Sequence, residues 1–251
     1  MRLKGKIAVV TGGSQGIGAA ISERFAAEGA SVFVVASASL EKAQLVVDRI
    51  KAAGGDATAA AADVAQAAEL GQLMQKVGDR LDILVNSAGV FYPTPVGTPE
   101  SDIGRMIDIN LKGSFLVISA AAPVMKAAKS GKIINLSSCA GVMGLNTYSV
   151  YCATKAGIMM MTRALALELA PFGINVNAIA PGNTATPINE DIRMKPEFAG
   201  FLQSMTERTP SGQTYSSVED IANLAVFLAS DESRAMHGST VLMDEGFTAG
   251  L

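Results

Sequence analysis

Thr11-Gly12-Gly13-Ser14-Gln15-Gly16-Ile17-Gly18 stands between the apolar run Ile7-Ala8-Val9-Val10 and the helical pattern Ala19-Ala20-Ile21-Ser22-Glu23-Arg24-Phe25. A β-branched run, a glycine-rich turn and a helix in that order open a βαβ unit. Glycines at 12, 16 and 18 permit a tight turn, close approach of a pyrophosphate, and close packing of helix on strand. Backbone N–H groups and the positive end of the helix dipole then face the phosphate charge. Gly12, Ser14, Gln15, Gly16, Ile17 and Gly18 therefore read as a dinucleotide cradle. The plainer reading is a turn that binds nothing, and a glycine motif alone does not separate the two. The rest of the chain does.

Outward from that stretch, short β-branched runs alternate with longer alanine-rich ones. The strands are expected at 7–10, 31–35, 57–61, 83–85, 133–136, 175–179 and 240–243. Helices are expected at 17–28, 40–53, 66–77, 101–127, 151–170 and 218–229. Such alternation predicts an α/β fold, a doubly wound parallel sheet of about seven strands with helices on both faces. No repeat and no Pro/Gly/Ser-rich linker divides the chain, so one domain over 1–251 is expected, the alanine-rich 57–68 being its one low-complexity tract. The stretch 183–217, poor in strand signal and carrying Pro187, Pro196 and Pro210, reads as a substrate-binding lid.

The composition narrows the function classes. Hydrophobic residues make up 49% of the 251 and charged residues 17%, which suits a globular core and not a disordered chain. A net charge of -3 without a long basic run leaves no electrostatic footprint for nucleic acid or an anionic membrane. Neither a secretory leader nor an uncharged apolar stretch of about 18 residues is read in the sequence, which places the protein in the cytoplasm. Cys139 and Cys152 make no disulfide framework and read as small buried hydrophobes rather than a catalytic thiol. His237 lacks a second ligand, so no metal is expected. The Met159-Met160-Met161 run reads as packing.

Tyr151 and Lys155 are one helical turn apart on the same face. For a phenol to exchange a proton near neutral pH, its pKa of about 10 must fall by about 3 units, or about 4 kcal/mol. A neighbouring ammonium, helped by the positive charge of an oxidised nicotinamide, pushes in that direction. Ser138, just past the apolar strand at 133–136, lies at the carboxyl edge where open α/β sheets bind ligands, within reach of a substrate oxygen. Taken singly, a Tyr and Lys at this spacing are more often a solvated helix face, and Ser137-Ser138 more often a turn. Tyr148 has no Lys four residues on and reads as pocket wall.

Together these motifs resemble the short-chain dehydrogenase/reductase family over essentially the whole chain. Thr11-Gly12-x-x-x-Gly16-x-Gly18 matches its glycine motif and Asp63-Val64 its adenine-contacting pair. Asn86-Ser87-Ala88-Gly89 resembles its Asn-Asn-Ala-Gly segment, with Ser87 replacing the second Asn. Asn110, Ser138, Tyr151 and Lys155 match its catalytic tetrad, and Pro181-Gly182-Asn183-Thr184-Ala185-Thr186 its segment near the nicotinamide. The resemblance implies a single-domain Rossmann fold and a secondary alcohol/ketone pair as substrate. It implies a cofactor held by the glycine loop, Ser37, Asp63, Val64, Asn86, Ala88, Gly89, Tyr151, Lys155, Pro181, Gly182, Thr184 and Thr186. By the same resemblance, Lys155 holds the nicotinamide ribose and Asn110 a water that relays protons.

Cofactor choice is read after the second strand, where a carboxylate on the ribose 2′-OH disfavours a 2′-phosphate. Ala36-Ser37-Ala38-Ser39 has none before Glu41, which favours NADP(H) over NAD(H), although no Arg stands there and Ser39 also suits a helix cap. The branch resembled includes 3-oxoacyl-carrier-protein reductases and sugar, polyol and steroid dehydrogenases. Ala170-Pro171-Phe172-Gly173 lacks the arginine those carrier-protein reductases often have there, though Lys126 and Lys129 remain, so a small free alcohol or ketone is expected. A dinucleotide-sensing protein on the same fold stays as the alternative class. Apolar stretches at 115–124 and 151–170 predict a symmetric oligomer, and the resemblance implies a homotetramer.

Overall fold

In a computed structural model describing residues 1–250, the side chain of Asp191 excepted, the opening run forms strand β1 (Ile7–Thr11), buried from its second residue on. The glycine turn leads into α1 (Gly16–Ala27), followed by β2 (Ser31–Ala36), α2 (Leu40–Ala52), β3 (Asp56–Ala61), α3 (Ala67–Val77) and β4 (Ile83–Asn86). The second half runs α4 (Glu100–Ile107), α5 (Ser114–Ala128), β5 (Gly131–Leu136), α6 (Ser149–Leu169) and β6 (Ile174–Pro181). It closes with α7 (Glu190–Met194), α8 (Ala199–Arg208), α9 (Val218–Ala229) and β7 (Thr240–Met243). The seven strands lie parallel in the order β3-β2-β1-β4-β5-β6-β7. Strand order reverses between β1 and β4, and the crevice that such a reversal opens at the carboxyl ends is where ligands bind in open sheets.

Strand residues alternate between two cores. Ala8, Val10, Val34, Ile83 and Ile134 face α1, α2 and α9, where Ile21, Phe25 and Val226 are fully buried. Val9, Val35, Leu84, Ile133 and Val176 face α3, α5 and α6, against Leu73, Val117 and Leu169. Each fully buried Leu, Ile or Phe contributes about 1.5–3 kcal/mol, so both faces are needed to hold the sheet. The helical run Glu100–Ala128 is apolar enough by length and composition to cross a membrane. Its apolar side chains Met106, Val117, Ile118, Ala121 and Met125 are buried within the fold.

Two differences from the sequence expectation bear on the site. The single helix expected at 101–127 is interrupted by a π-helical stretch, Asp108–Gly113. A Cβ on Gly113 would stand 2.8 Å from Val64 Cγ2, so the helix is pressed against the loop after β3 there. The wider turn carries Asn110 into the interior, a device the 3.6-residue period does not announce. The stretch 183–217 is not a bare loop: α7 and α8 each follow a 3₁₀ turn opened by Pro187 or Pro196, the first helical position that proline suits.

Candidate active site

The cradle is built by the two glycines that pack hardest. Gly12 has φ +63°, and a Cβ there would lie 2.8 Å from Ala88 backbone atoms. A Cβ on Gly18 would stand 2.2 Å from the Gly12 carbonyl oxygen, so only glycine lets α1 begin against β1. Gln15 at the N-cap of α1 makes no side-chain capping bond, and the first turn has no acidic residue. The positive end of the helix is thus uncompensated and faces the cleft, which fits a pyrophosphate.

That cleft, about 850 Å³, crosses the carboxyl edge of the sheet. Gly12, Ser14, Gln15, Gly16, Ile17 and Gly18 line one end, together with Ser37, Asp63 and Val64. Ser138, Tyr151 and Lys155 line the middle, beside Ala88 and Gly89 on one side and Pro181, Gly182, Thr184 and Thr186 on the other. Ser37 is exposed, whereas the Ser39 hydroxyl accepts from Lys42 N at 3.3 Å and caps α2. Asp63 accepts from Ala65 N at 2.9 Å through one carboxylate oxygen. Asn189 accepts from Thr186 N at 3.2 Å and donates to the Thr184 carbonyl at 3.0 Å, which ties the turn at Asn189 to the segment that follows β6.

Tyr151 and Lys155 sit on α6, with the Lys155 ammonium 5.6 Å from the Tyr151 ring centroid. Lys155 Nζ donates to the Leu136 carbonyl at 2.8 Å, and Ser137 Oγ donates to the Lys155 carbonyl at 2.8 Å. The end of β5 therefore grips the turn of α6 at Lys155 from both directions. Burial lowers the Lys155 pKa to about 8. Burial pushes the Tyr151 phenol up from its ordinary value, only partly opposed by a hydrogen bond with Ser138. The expectation that the ammonium brings the phenol down toward neutrality is thus reversed in the protein alone. Desolvation disfavours the charged form of both groups. The Ser138 hydroxyl also accepts from Ala140 N at 3.2 Å, starting a short 3₁₀ turn at Cys139–Gly141.

Two expected site residues lie behind the cleft. Asn86 Nδ2 donates to Asn135 Oδ1 at 2.9 Å and to the Ser114 carbonyl at 3.3 Å. Its side chain joins neighbouring strands, and its buried Oδ1 has no hydrogen-bond partner among the described residues. Asn110 clamps a backbone: its Oδ1 accepts from Val90 N at 2.8 Å, and its Nδ2 donates to the Val90 carbonyl at 3.0 Å and the Thr154 hydroxyl at 3.4 Å. A Cβ on Gly89 would be 3.2 Å from Asn110 Oδ1 and 3.9 Å from Lys155 Nζ, so both side chains close on Gly89, and Asn110 does not line the cleft.

Sequence reasoning missed Phe91. Its ring stacks on Tyr148 (centroids 4.5 Å apart, 11° between planes) and meets Tyr151 edge-on (4.8 Å, 75°). No local pattern tells which aromatic of the loop pair Phe91-Tyr92 reaches the site, whereas Tyr148 lines the cleft as the wall it was expected to be. His237 Nε2 contacts Asn175 Nδ2 at 3.0 Å, far along the chain from these groups.

The sequence profile described as enoyl-(acyl carrier protein) reductase matches residues 12–248. A 2,5-dichloro-2,5-cyclohexadiene-1,4-diol dehydrogenase, LinX, of Sphingobium indicum is 39% identical over 256 residues, covering 100% of this chain and 99% of its own. The chain belongs to the short-chain dehydrogenase/reductase family. The 3-oxoacyl-[acyl-carrier-protein] reductase FabG of Staphylococcus aureus, another relative, is 39% identical over 245 residues, or 96% of this chain and 97% of that one. Among solved structures, a gluconate 5-dehydrogenase from Burkholderia cenocepacia in complex with NADP and tartrate superposes with a TM-score of 0.93 at 32% identity, covering 100% of this chain and 98% of that one. As a member of this family the chain is an oxidoreductase that acts on CH–OH groups with a nicotinamide cofactor.

Proposed function

We propose that the chain interconverts a secondary alcohol and a ketone, using NADP(H), with Tyr151 as the general acid/base. The observation that carries this reading is that Tyr151, Ser138 and Lys155 share one cleft with the glycine cradle. The N-terminus of α1 would hold the pyrophosphate, Asp63 and Val64 the adenine, Lys155 the nicotinamide ribose, and the Pro181–Thr186 segment the ring. Bound there, a reduced nicotinamide supplies hydride to the carbonyl carbon. Ser138 and Tyr151 hold the carbonyl oxygen, and the Tyr151 phenol gives it its proton as the carbon is reduced. A phenol kept protonated by burial is suited to the acid role, and the Lys155 ammonium stabilises the phenolate left behind. In alcohol oxidation the same groups run in reverse.

NADP(H) is favoured because the exposed Ser37 lines the cleft at a turn without a carboxylate, and because the gluconate 5-dehydrogenase neighbour was crystallised with NADP. The relatives act, by their names, on a cyclic diol, a carrier-protein acyl group and gluconate, all consistent with an alcohol/ketone pair. Carrier-protein docking is disfavoured at one basic residue that sequence left open: Lys126 lies 3.4 Å from Glu168 and 5.0 Å from the Phe172 ring centroid. We further propose that 183–217 acts as the substrate lid and that the protein works as a cytoplasmic homotetramer. A panel of ketones and alcohols, assayed with both cofactors, tests the reading. Tight cofactor binding without turnover of any panel member overturns the enzyme in favour of the dinucleotide sensor.

A further inference from the structure

The cleft continues past Tyr151 into a second compartment that the cofactor assignment does not use. One wall is the aromatic group already described, with Tyr148 stacked on Phe91 and Phe91 edge-on to Tyr151. The opposite wall comes from the lid: Ile188, Ile192, Phe198, Phe201, Met205 and Tyr215 line the cleft. Ile188 is 49% exposed and Phe201 52%, although both belong to the lining. Large apolar side chains left open on the lid wall, beside the half-buried Phe91 and Tyr148, are a surface that an apolar occupant would cover.

The charged groups nearest this compartment are directed elsewhere. Arg193 Nη2 donates to the Thr186 carbonyl at 3.1 Å and its Nε to Asn189 Oδ1 at 3.3 Å. The Arg208 guanidinium lies 4.9 Å from the ring centroid of Phe247, and neither arginine lines the cleft. Arg105 does line it, but also borders the small hollow that contains Asp63 and Asp108, at the adenine end, and sits 5.9 Å from the Tyr92 ring centroid. Among the described side chains, the lid wall therefore offers no cation to a carboxylate or a phosphate. The polar groups beside it are the Tyr148 and Tyr215 hydroxyls with Asn146, Thr147 and Asn183, and a polyhydroxylated chain that cannot pair all its hydroxyls with these leaves the rest unpaired against apolar side chains, which is costly.

From this we infer that the substrate is an uncharged ring compound, a carbocyclic or aryl-fused ketone and its secondary alcohol, held between the Phe91–Tyr148 stack and the Phe201 face of the lid. The inference rests on the assignment of Tyr151 as proton donor and names the chemistry of the same site. Flat apolar rings gain from stacked and edge-on aromatic contacts beyond the area they bury, and the carbonyl at the ring edge would point to Tyr151 and Ser138.

The test uses the full-length enzyme with NADPH and three probes: 1-tetralone, 5-ketogluconate, and the N-acetylcysteamine thioester of acetoacetate. The expected kcat/KM for 1-tetralone is at least about tenfold above either other probe, and Phe201→Ala raises its KM about tenfold, the scale of a lost apolar pocket contact. An equal or higher kcat/KM for the keto acid or the thioester overturns the ring assignment and leaves the Tyr151 assignment standing. If no probe turns over, the rise in Tm given by 1-tetralone with NADPH decides. A rise in wild type that Phe201→Ala removes upholds the ring site and overturns the acid/base assignment, and no rise overturns both.

Discussion

Lys155 Nζ stands 5.6 Å from the centroid of the Tyr151 ring while donating at 2.8 Å to the carbonyl of Leu136, the last residue of β5. The sheet thus fixes where the ammonium sits relative to the phenol. Because burial lowers the lysine to about 8 and raises the tyrosine, the pair at neutral pH is a charged lysine beside a neutral phenol.

A pH dependence follows from the sign of those shifts. The phenol stays protonated across the neutral range, whereas a lysine with a pKa of about 8 is charged below that pH and neutral above it. In the proposed mechanism carbonyl reduction needs that charge, so kcat/KM for NADPH, which reports groups of the free enzyme, is expected to be level from pH 6 to about 7.5 and to fall through about 8. Lys155→Met should lose that limb along with most activity and weaken cofactor binding. A wild-type profile level to pH 9.5 would contradict the pairing.

Ser138 caps a 3₁₀ turn and is assigned to the substrate oxygen; one substitution removes both contacts, and two readouts tell them apart. Ser138→Ala removes a partner of the substrate oxygen and the acceptor for Ala140 N. We expect kcat to fall by about 10²–10³, the loss typical of one oxygen-stabilising donor, and stability to fall by about 1 kcal/mol from the lost cap. NADPH affinity should be unchanged in a fluorescence titration. A weakened NADPH affinity with unchanged kcat would place Ser138 in cofactor binding instead.

Ser37→Asp is expected to turn cofactor preference toward NAD(H). A carboxylate at that exposed edge of the cleft repels a 2′-phosphate and accepts from a ribose hydroxyl. The ratio of kcat/KM for NADPH and NADH should drop by at least about tenfold, which about 1.4 kcal/mol of repulsion would produce. An unchanged ratio would mean the 2′ position is read elsewhere.

Phe115 on α5 and Met160 and Leu167 on α6 are 48%, 60% and 82% exposed. Apolar side chains on the outer faces of two helices are surface for a symmetric partner. Light scattering at micromolar concentration is expected to give a tetramer, and a monomer would contradict it.

The fold was legible because every βα unit carries its own period, and all seven strands lie where the apolar runs placed them. Tyr151 and Lys155 were readable as a pair from their spacing, Ser138 from its place past a strand end and Asn110 from resemblance alone; the first three line one cleft. What the spacing does not encode is burial: Tyr151 and Lys155 read as a pair with a lowered phenol, and desolvation reverses the phenol's direction. Asn86 and Asn110 were identified by motif, but the direction of an amide depends on which backbone it faces, here Ser114 and Val90. The π-helical turn at Asn110 and the aromatic contact through Phe91 depend on neighbours distant in the chain.

We assign the transferred proton to the Tyr151 hydroxyl. Tyr151→Phe keeps the ring against Phe91 and deletes only that hydroxyl. Steady-state kcat with the best panel substrate, measured beside the NADPH dissociation constant, is the direct test. We predict a kcat lower by at least about 10²–10⁴, the range of general acid–base groups, with NADPH affinity within about threefold of wild type, under 1 kcal/mol. A variant that keeps more than about a tenth of the wild-type kcat, less than the weakest such contribution, would contradict the assignment.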